Sequence, residues 1–291
     1  MLKTILVAAA GSQQTQVALE TAAALAHPYC AHIECFRIHP DPAQTLAAAS
    51  SADMGSGMAI AEILQAMRED DLRRTQASRK AFDEFCKRRT IDIADRPWGY
   101  SDITACWRET TGIETECVID RARFSDLTVL EHPSGGGGFS PVSAGSVLLR
   151  SGRPLLVSGP ENLTVFPKTI AVAWKKTAES ARAMMAALPL LAKAERVSVV
   201  SINEDIGKES DARLSLSNAA DYLRWHGLKV DERFATDPVN GVDMMLGEVR
   251  SSGAELLVMG GYGHSRLREF IFGGFTRRVL SGLNMPVFLS H

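Results

Sequence analysis

The chain has 291 residues, 45% of them hydrophobic and 23% charged, with a mean hydropathy of −0.03. That balance excludes a disordered chain, and 23 Gly with 12 Pro exclude a collagen-like or Pro/Gly-dominated one. The formal net charge of −2 divides into 16 Lys+Arg against 20 Asp+Glu over residues 1–166 and 16 against 14 over 167–291. Neither half therefore has the basic excess of a sequence-independent nucleic-acid binder.

The length suits two domains of roughly 145 residues. Five cysteines (Cys30, Cys35, Cys86, Cys106 and Cys117) form no CxxC and no zinc-ligand pairing. They read as reduced thiols in a cytoplasmic protein. The opening MLKTILVAAAGSQQTQ has an apolar run shorter than a signal peptide or a membrane helix needs. No membrane partner is expected.

In chain order, KTILVAA (3–9) is a strand, Gly11-Ser12 a turn with Ser12 as helix N-cap, and Thr15 to Ala26 an alanine-rich helix. AHIECFRI (31–38) is the next strand. His39 to Gly57 reads as a long loop or lid. Ala59 to Arg89 carries Ile60, Ile63, Leu64, Met67, Leu72, Phe82 and Phe85 at three- and four-residue spacing, a long helix. Its closing Lys87-Arg88-Arg89 reads as charge opposing the helix dipole. A short strand follows around 91–97, then a helix over Ser101–Thr110, a strand over Asp126–Leu130, a glycine loop at Ser134–Gly138, a helix over Ala144–Leu149 and a strand over Pro154–Val157.

At Thr169 the pattern restarts. TIAVAW is a strand, Ala181–Ala192 a helix, VSVVSI (197–202) a strand, and Asp211–His226 a helix with Leu214, Leu216, Ala220 and Leu223 inward. LKVDERFA (228–235) alternates as an exposed-edge strand. Val242–Ser251 is a helix, LLVM (256–259) a strand, 260–274 a glycine-rich loop, Phe275–Ser281 a helix and PVFLS (286–290) a strand.

Strands alternating with helices imply right-handed crossovers and an open parallel sheet, α/β and doubly wound. The halves also match in residues. Pro154-Leu155-Leu156-Val157-Ser158 answers Pro286-Val287-Phe288-Leu289-Ser290 at an offset of 132, and Ser125-Asp126-Leu127 answers Ala254-Glu255-Leu256 at an offset of 129. The three-residue difference falls in the glycine loop of the first half. Two copies of one α/β domain, 1–160 and 168–291, are joined by a linker near 159–168 with Gly159-Pro160 and Pro167.

In such sheets ligands bind beyond the carboxyl ends of the strands. Glycines there admit a phosphate, and N–H groups of the loop and of the helix start supply donors. Gly260-Gly261-Tyr262-Gly263-His264-Ser265 follows LLVM, while Gly273-Gly274 with Thr276 open the next helix.

The spacing Gly260-x2-Gly263-x9-Gly273, with Pro286-Val-Phe-Leu beyond it, resembles the universal stress protein family, whose motif is G-x2-G-x9-G-[S/T]. The resemblance covers both halves in order of elements. It implies two tandem Rossmann-like domains of the adenine nucleotide alpha hydrolase-like type, forming an intramolecular pseudo-dimer through strands 154–158 and 286–290. That pairing would hide two open edges. It also implies a nucleotide site at Ala173, Trp174, Lys175, Gly260, Gly261, Gly263, His264, Ser265, Gly273, Gly274, Phe275 and Thr276, taking AMP or ATP with or without Mg²⁺. Two departures weaken that site. Gly274 stands at the Ser/Thr position, and the strand-1 Asp of nucleotide-binding members is replaced by Ala10 in half one and Lys175 in half two. A buried donor left unpaired costs ~1–3 kcal/mol, roughly ten- to hundredfold in affinity. Lys175 would instead place positive charge at the ligand edge.

Half one departs further. Glu131 stands at the place of Gly260, adding negative charge beside any phosphate, and Pro141-Val142 stand at the place of Gly273-Gly274, removing an N–H. Its Gly135–Gly138 reads as a loop with the wrong spacing. Elsewhere, His32, Cys35 and His39 do not make the three or four converging ligands of a metal site. Ser12 lacks a nucleophile's setting. Asp70-Asp71 read as a solvated helix face, Met184-Met185 and Met244-Met245 as core filler, and the four tryptophans are too dispersed for a stacking platform.

The expectation is a stress-response protein whose second half binds a small-molecule nucleotide or related anion as a regulatory, non-catalytic module. Two tandem chains could pair as a homodimer. Two alternatives stand beside this reading. A weak ATPase would need a base and a metal-holding carboxylate, and Glu269 is the one acid in the 260–274 loop. A nucleotide-independent scaffold, or a binder of another small or lipid-like ligand, would use the 39–57 segment.

Overall fold

The computed structural model describes residues 1–42, 57–96, 101–133, 141–205, 207–261, 278–279 and 284–291. In the helices that begin at 57 and 141, side chains are described from 61 and 143 onward. The first half contains β1 (Thr4–Ala9), α1 (Gln14–Ala26), β2 (His32–His39), α2 (Gly57–Arg89), β3 (Asp92–Ile93), β4 (Thr104–Thr111), α3 (Glu114–Ala122), β5 (Leu127–Leu130), α4 (Pro141–Ser151) and β6 (Leu155–Val157). The second contains β7 (Thr169–Ala173), α5 (Ala178–Leu191), β8 (Arg196–Asn203), α6 (Glu209–Trp225), β9 (Val230–Thr236), α7 (Gly241–Ser251), β10 (Leu256–Gly260) and β11 (Val287–Ser290).

All eleven strands form one sheet in the order β3-β4-β2-β1-β5-β6-β11-β10-β7-β8-β9. Within each half the pairing is parallel. Where the halves meet, β6 and β11 run antiparallel, Leu156 opposite Phe288. This is the pairing expected of 154–158 and 286–290. Both strands are buried throughout, so each would otherwise present an apolar edge.

Alternation along the strands divides the core into two layers. Ile5, Val7 and Ala9 of β1 join one cluster with α1, α2, α5 and α6. Leu6, Ala8 and Ala10 join the other, with α3, α4 and α7. Both clusters run across the junction, so the two halves share their core layers.

The repeat extends to single contacts. Asp126 Oδ2 accepts from the N–H groups of Lys3 and Thr4, at 2.7 and 3.0 Å. Glu255 Oε2 accepts from those of Lys168 and Thr169, at 2.6 and 3.3 Å. The same carboxylate thus holds the start of the first strand in each half.

Three expectations are corrected. Ser101–Thr110 is not a helix: most of it is β4, which lies between β2 and β3. Ile103, Ala105 and Trp107 pack on one layer at a spacing of two, a strand period. The connection to β5 contains instead the helix α3, whose buried Val118, Ile119 and Ala122 repeat at helical spacing. Leu214 is exposed rather than inward, and the buried stripe of α6 is Leu216, Ala219, Ala220 and Leu223. Of the methionines, Met184 and Met245 are buried while Met185 is exposed.

Candidate functional site

In each half the strand order reverses beside the first strand, between β1 and β5 and between β7 and β10. The crevices beyond these strand ends are the ligand positions of an open parallel sheet. Register equates them residue by residue. Leu130 pairs with Ala8, and Met259 pairs with Ala173. Glu131 therefore matches Gly260, and Ala10 matches Lys175.

In the C-terminal half the structure brings Ala173, Trp174, Lys175, Gly260 and Gly261 to one crevice. The Trp174 N–H donates to Val200 O at 2.8 Å, and its indole N–H donates to Ser215 Oγ at 3.0 Å. The Lys175 N–H donates to Ser180 Oγ at 3.4 Å. Thr177 caps α5 by accepting from the Ser180 N–H at 3.3 Å. Gly260 is required sterically: a Cβ there would lie 2.7 Å from Glu179 C and Ser180 N, so α5 starts directly on the glycine. Gly261 donates to Ser290 O at 2.9 Å, and a Cβ on it would meet Leu148 of the first half at 2.6 Å.

Lys175 does not offer an unopposed charge. Its Nζ lies 2.7 Å from Glu204 Oε2, just past the end of β8. Glu204 in turn lies against the start of α7, where a Cβ on Gly241 would come within 2.7 Å of Oε1. Sequence reasoning missed Glu204, for no local pattern ties it to a lysine 29 positions earlier. Gly263, His264, Ser265, Gly273, Gly274, Phe275 and Thr276 lie outside the described residues, as do most of the 39–57 segment and Ser134–Gly138. Of the expected helix 275–281, Arg278 and Val279 are described. Val279 is buried in the core, and Arg278 makes a two-pronged pair with Asp243 of α7, at 3.0 and 2.7 Å.

The N-terminal crevice is built differently. Glu131 is buried, not set beside an open pocket. Its Oε1 accepts from the Ala10 N–H (2.9 Å) and the Thr15 hydroxyl (2.5 Å), its Oε2 from the Ser12 hydroxyl (2.5 Å). Burial pushes its pKa up to about 6, against the downward pull of these hydrogen bonds. Ser12 Oγ also accepts from the Gln14 N–H at 3.0 Å, but the N-cap position of α1 falls on Gln13, not on Ser12 as expected, and has no side-chain cap. Helix α2 lies over the turn: Gly11, at φ +81°, leaves no room for a Cβ against Arg74.

Beside this turn Arg37, buried at the end of β2, donates to Ala9 O (3.3 Å), Thr75 Oγ1 (3.3 Å) and Asp71 Oδ1 (2.7 Å). His39 Nδ1 lies 2.8 Å from Asp71 Oδ2. Asp71 is thus not part of a solvated face, although Asp70 is, paired with Arg73 and Arg74. Similarly, Arg88 and Arg89 are not simply dipole charge. Both bind the buried Glu20, and Arg89 also donates to Thr164 O in the linker at 3.0 Å. His32 bridges Thr104 Oγ1 (2.8 Å) and Cys106 Sγ (3.2 Å). Burial raises the Cys106 thiol to about 11, so the thiol is inert at neutral pH. Among the described residues, no group of three or more His, Cys, Asp or Glu is placed to hold a metal ion. No described helix is long and apolar enough to cross a membrane.

The sequence profile of the Universal stress protein family matches residues 167–291. Residues 167–291 therefore form a universal stress protein domain. The N-terminal half repeats the fold of this universal stress protein domain strand for strand, with β3 added at its edge. Among solved structures, a universal stress protein from Archaeoglobus fulgidus DSM 4304 is similar over 99% of this chain and 95% of its own, with 15% identity and a TM-score of 0.65. A Pseudomonas aeruginosa UCBPP-PA14 protein provisionally assigned to the same family is 15% identical, covers 99% of this chain and 93% of its own, and has a TM-score of 0.56. A functionally unknown protein from Pseudomonas aeruginosa PAO1 is 15% identical over 99% and 92%, with a TM-score of 0.55. These likenesses establish the tandem fold. No curated protein matches the chain in sequence. The match over residues 167–291 supports a role in the stress response.

Proposed function

We propose that this tandem universal stress protein is a cytoplasmic regulatory module that binds AMP, ATP or a related anion in its C-terminal half and performs no chemical step on it. In this reading residues 1–160 and 168–291 are two domains joined as a pseudo-dimer, with one working pocket. The observation that carries it is Gly260, at the turning point of the C-terminal sheet, opening the run Gly260-x2-Gly263-x9-Gly273. The donor set suits the phosphate end of a nucleotide better than the nucleoside end. Lys175 supplies a cation at the end of β7, while the Asp that would accept from a nucleoside has no counterpart at that position. The phosphate contacts are assigned to the loop from Gly260 to Thr276. In the N-terminal half, Glu131 occupies the equivalent crevice and leaves no such role to it.

Titration calorimetry of ATP, ADP and AMP, with and without Mg²⁺, into wild type and Gly263→Asp tests the reading. Binding by the wild type that the variant loses, with no phosphate released, is the expected result. Turnover abolished by the same change would make the protein an ATPase. Absence of binding by all three nucleotides would leave a scaffold.

A further inference from the structure

The proposed pocket makes no use of the group that fills the other crevice. Glu131 sits at the end of β5, and its two carboxylate oxygens receive the Ala10 N–H and the hydroxyls of Ser12 and Thr15. Thr15 is fully buried, and Gly11 between these donors is packed under Arg74 of α2. Arg37, its charge paired with Asp71, closes the neighbouring backbone by donating to Ala9 O. Donors converging at the end of a central strand are the makings of an anion site. Here the anion belongs to the chain. In the second half the matching residue is Gly260, and the matching N–H, of Lys175, turns to Ser180 Oγ instead.

We propose that the crevice between β1 and β5 is an anion site which the chain fills with its own Glu131 carboxylate, and that a small free carboxylate takes that place once the side chain is removed. The inference is independent of what the C-terminal half binds. The ligand class follows from the donors: they close on the two oxygens of one planar group, which matches formate or acetate better than a tetrahedral phosphate. An apolar side chain at 131 would leave these donors buried and unpaired, which explains an acid at a position where its counterpart is glycine.

The test is the thermal unfolding midpoint of the full chain in sodium chloride, formate, acetate and phosphate at matched ionic strength. Glu131→Gly and Glu131→Ala vacate the site, the second without adding backbone freedom to the end of β5. Glu131→Gln keeps it filled. Both vacating variants are expected to melt several degrees below wild type in chloride, and formate or acetate should recover at least half of that loss. The same salts should do no comparable thing for wild type or Glu131→Gln. Equal responses from all four chains would overturn the proposal, as would vacated variants that stay unfolded with formate present. Recovery by phosphate but not by carboxylates would overturn the ligand class.

Discussion

Lys175 and Glu204 meet at 2.7 Å across the mouth of the C-terminal crevice, joining the end of β7 to the end of β8. Lys175 is therefore held by a carboxylate just past the end of the neighbouring strand. Their side chains are 70% and 39% exposed, so the pair contributes little to stability, about 0–1 kcal/mol. Its effect falls on binding. In the proposed pocket an incoming phosphate would have to compete with Glu204 for Lys175. Glu204→Gln is expected to tighten ATP binding by about threefold to tenfold at low salt, and Lys175→Met to weaken it by a similar factor. Calorimetry at two ionic strengths checks both, since screening should shrink the two effects together. Unchanged affinity in Glu204→Gln would remove Lys175 from the site.

Gly260 has a structural duty besides any ligand. A Cβ there would stand 2.7 Å from backbone atoms of Glu179 and Ser180 and 2.9 Å from Glu179 Cβ. Backbone at the start of a packed helix cannot yield as a flexible side chain can. Gly260→Ala is therefore expected to destabilise the protein by ~1–3 kcal/mol through overpacking. Gly253→Ala is the comparison, for its Cβ would meet nothing within 4 Å and only its φ of +71° opposes the change. Urea unfolding of the two variants measures the difference. A smaller loss at 260 than at 253 would show that α5 yields.

The duplication and most of the strands were legible in the sequence because buried parallel strands are short apolar runs bounded by turn residues, and those runs recur. β4 escaped because its signal is an alternation, Ile103, Ala105, Trp107, interrupted by Arg108 and Glu109 and easily taken for a polar helix. That Gly260, Gly261 and Lys175 stand at strand ends was legible from their place after apolar runs. What the sequence could not convey was pairing. Glu204 reaches Lys175 because of where β8 ends, Asp71 reaches Arg37 because α2 lies over β2, and Glu131 reaches back 116 residues to Thr15. Such contacts depend on which elements neighbour each other, and charge type alone leaves that open. Glu131 read as a repelling charge when its only known neighbour was a supposed phosphate; buried among donors, it is the crevice's own anion.

The Arg37–Asp71 pair allows a sharper test of that network. Arg37 is 4% exposed at its side chain and Asp71 19%. Asp71→Asn removes the counter-charge while leaving the guanidinium buried, which is expected to cost about 3–5 kcal/mol. Replacing both partners, Arg37→Met with Asp71→Leu, removes the stranded charge as well, and should cost less than the single change. Urea midpoints for the single and double variants decide it. A double variant less stable than Asp71→Asn would mean that Arg37 earns its place through Ala9 and Thr75, its other two partners.

Glu131 makes the stability of the fold depend on pH. Burial raises its carboxyl from 4.5 to about 6 in the folded chain, so the folded state holds this proton more tightly than the unfolded state does. Below about 4.5 both states are protonated and the group has no net effect. Between 4.5 and 6 the unfolded chain has lost the proton while the folded chain keeps it, so stability falls as pH rises. Above 6 both are ionised and the loss is complete, about 2 kcal/mol for a shift of roughly 1.5 units. Glu114 is also raised by burial and would slope the same way. The quantity to measure is therefore the difference in urea unfolding free energy between wild type and Glu131→Gln across pH 4 to 7. Wild type should lose ground to the variant through this window and hold level above it. A difference that moves the other way would mean that the Ala10, Ser12 and Thr15 donors outweigh burial and hold the folded carboxyl below its ordinary value.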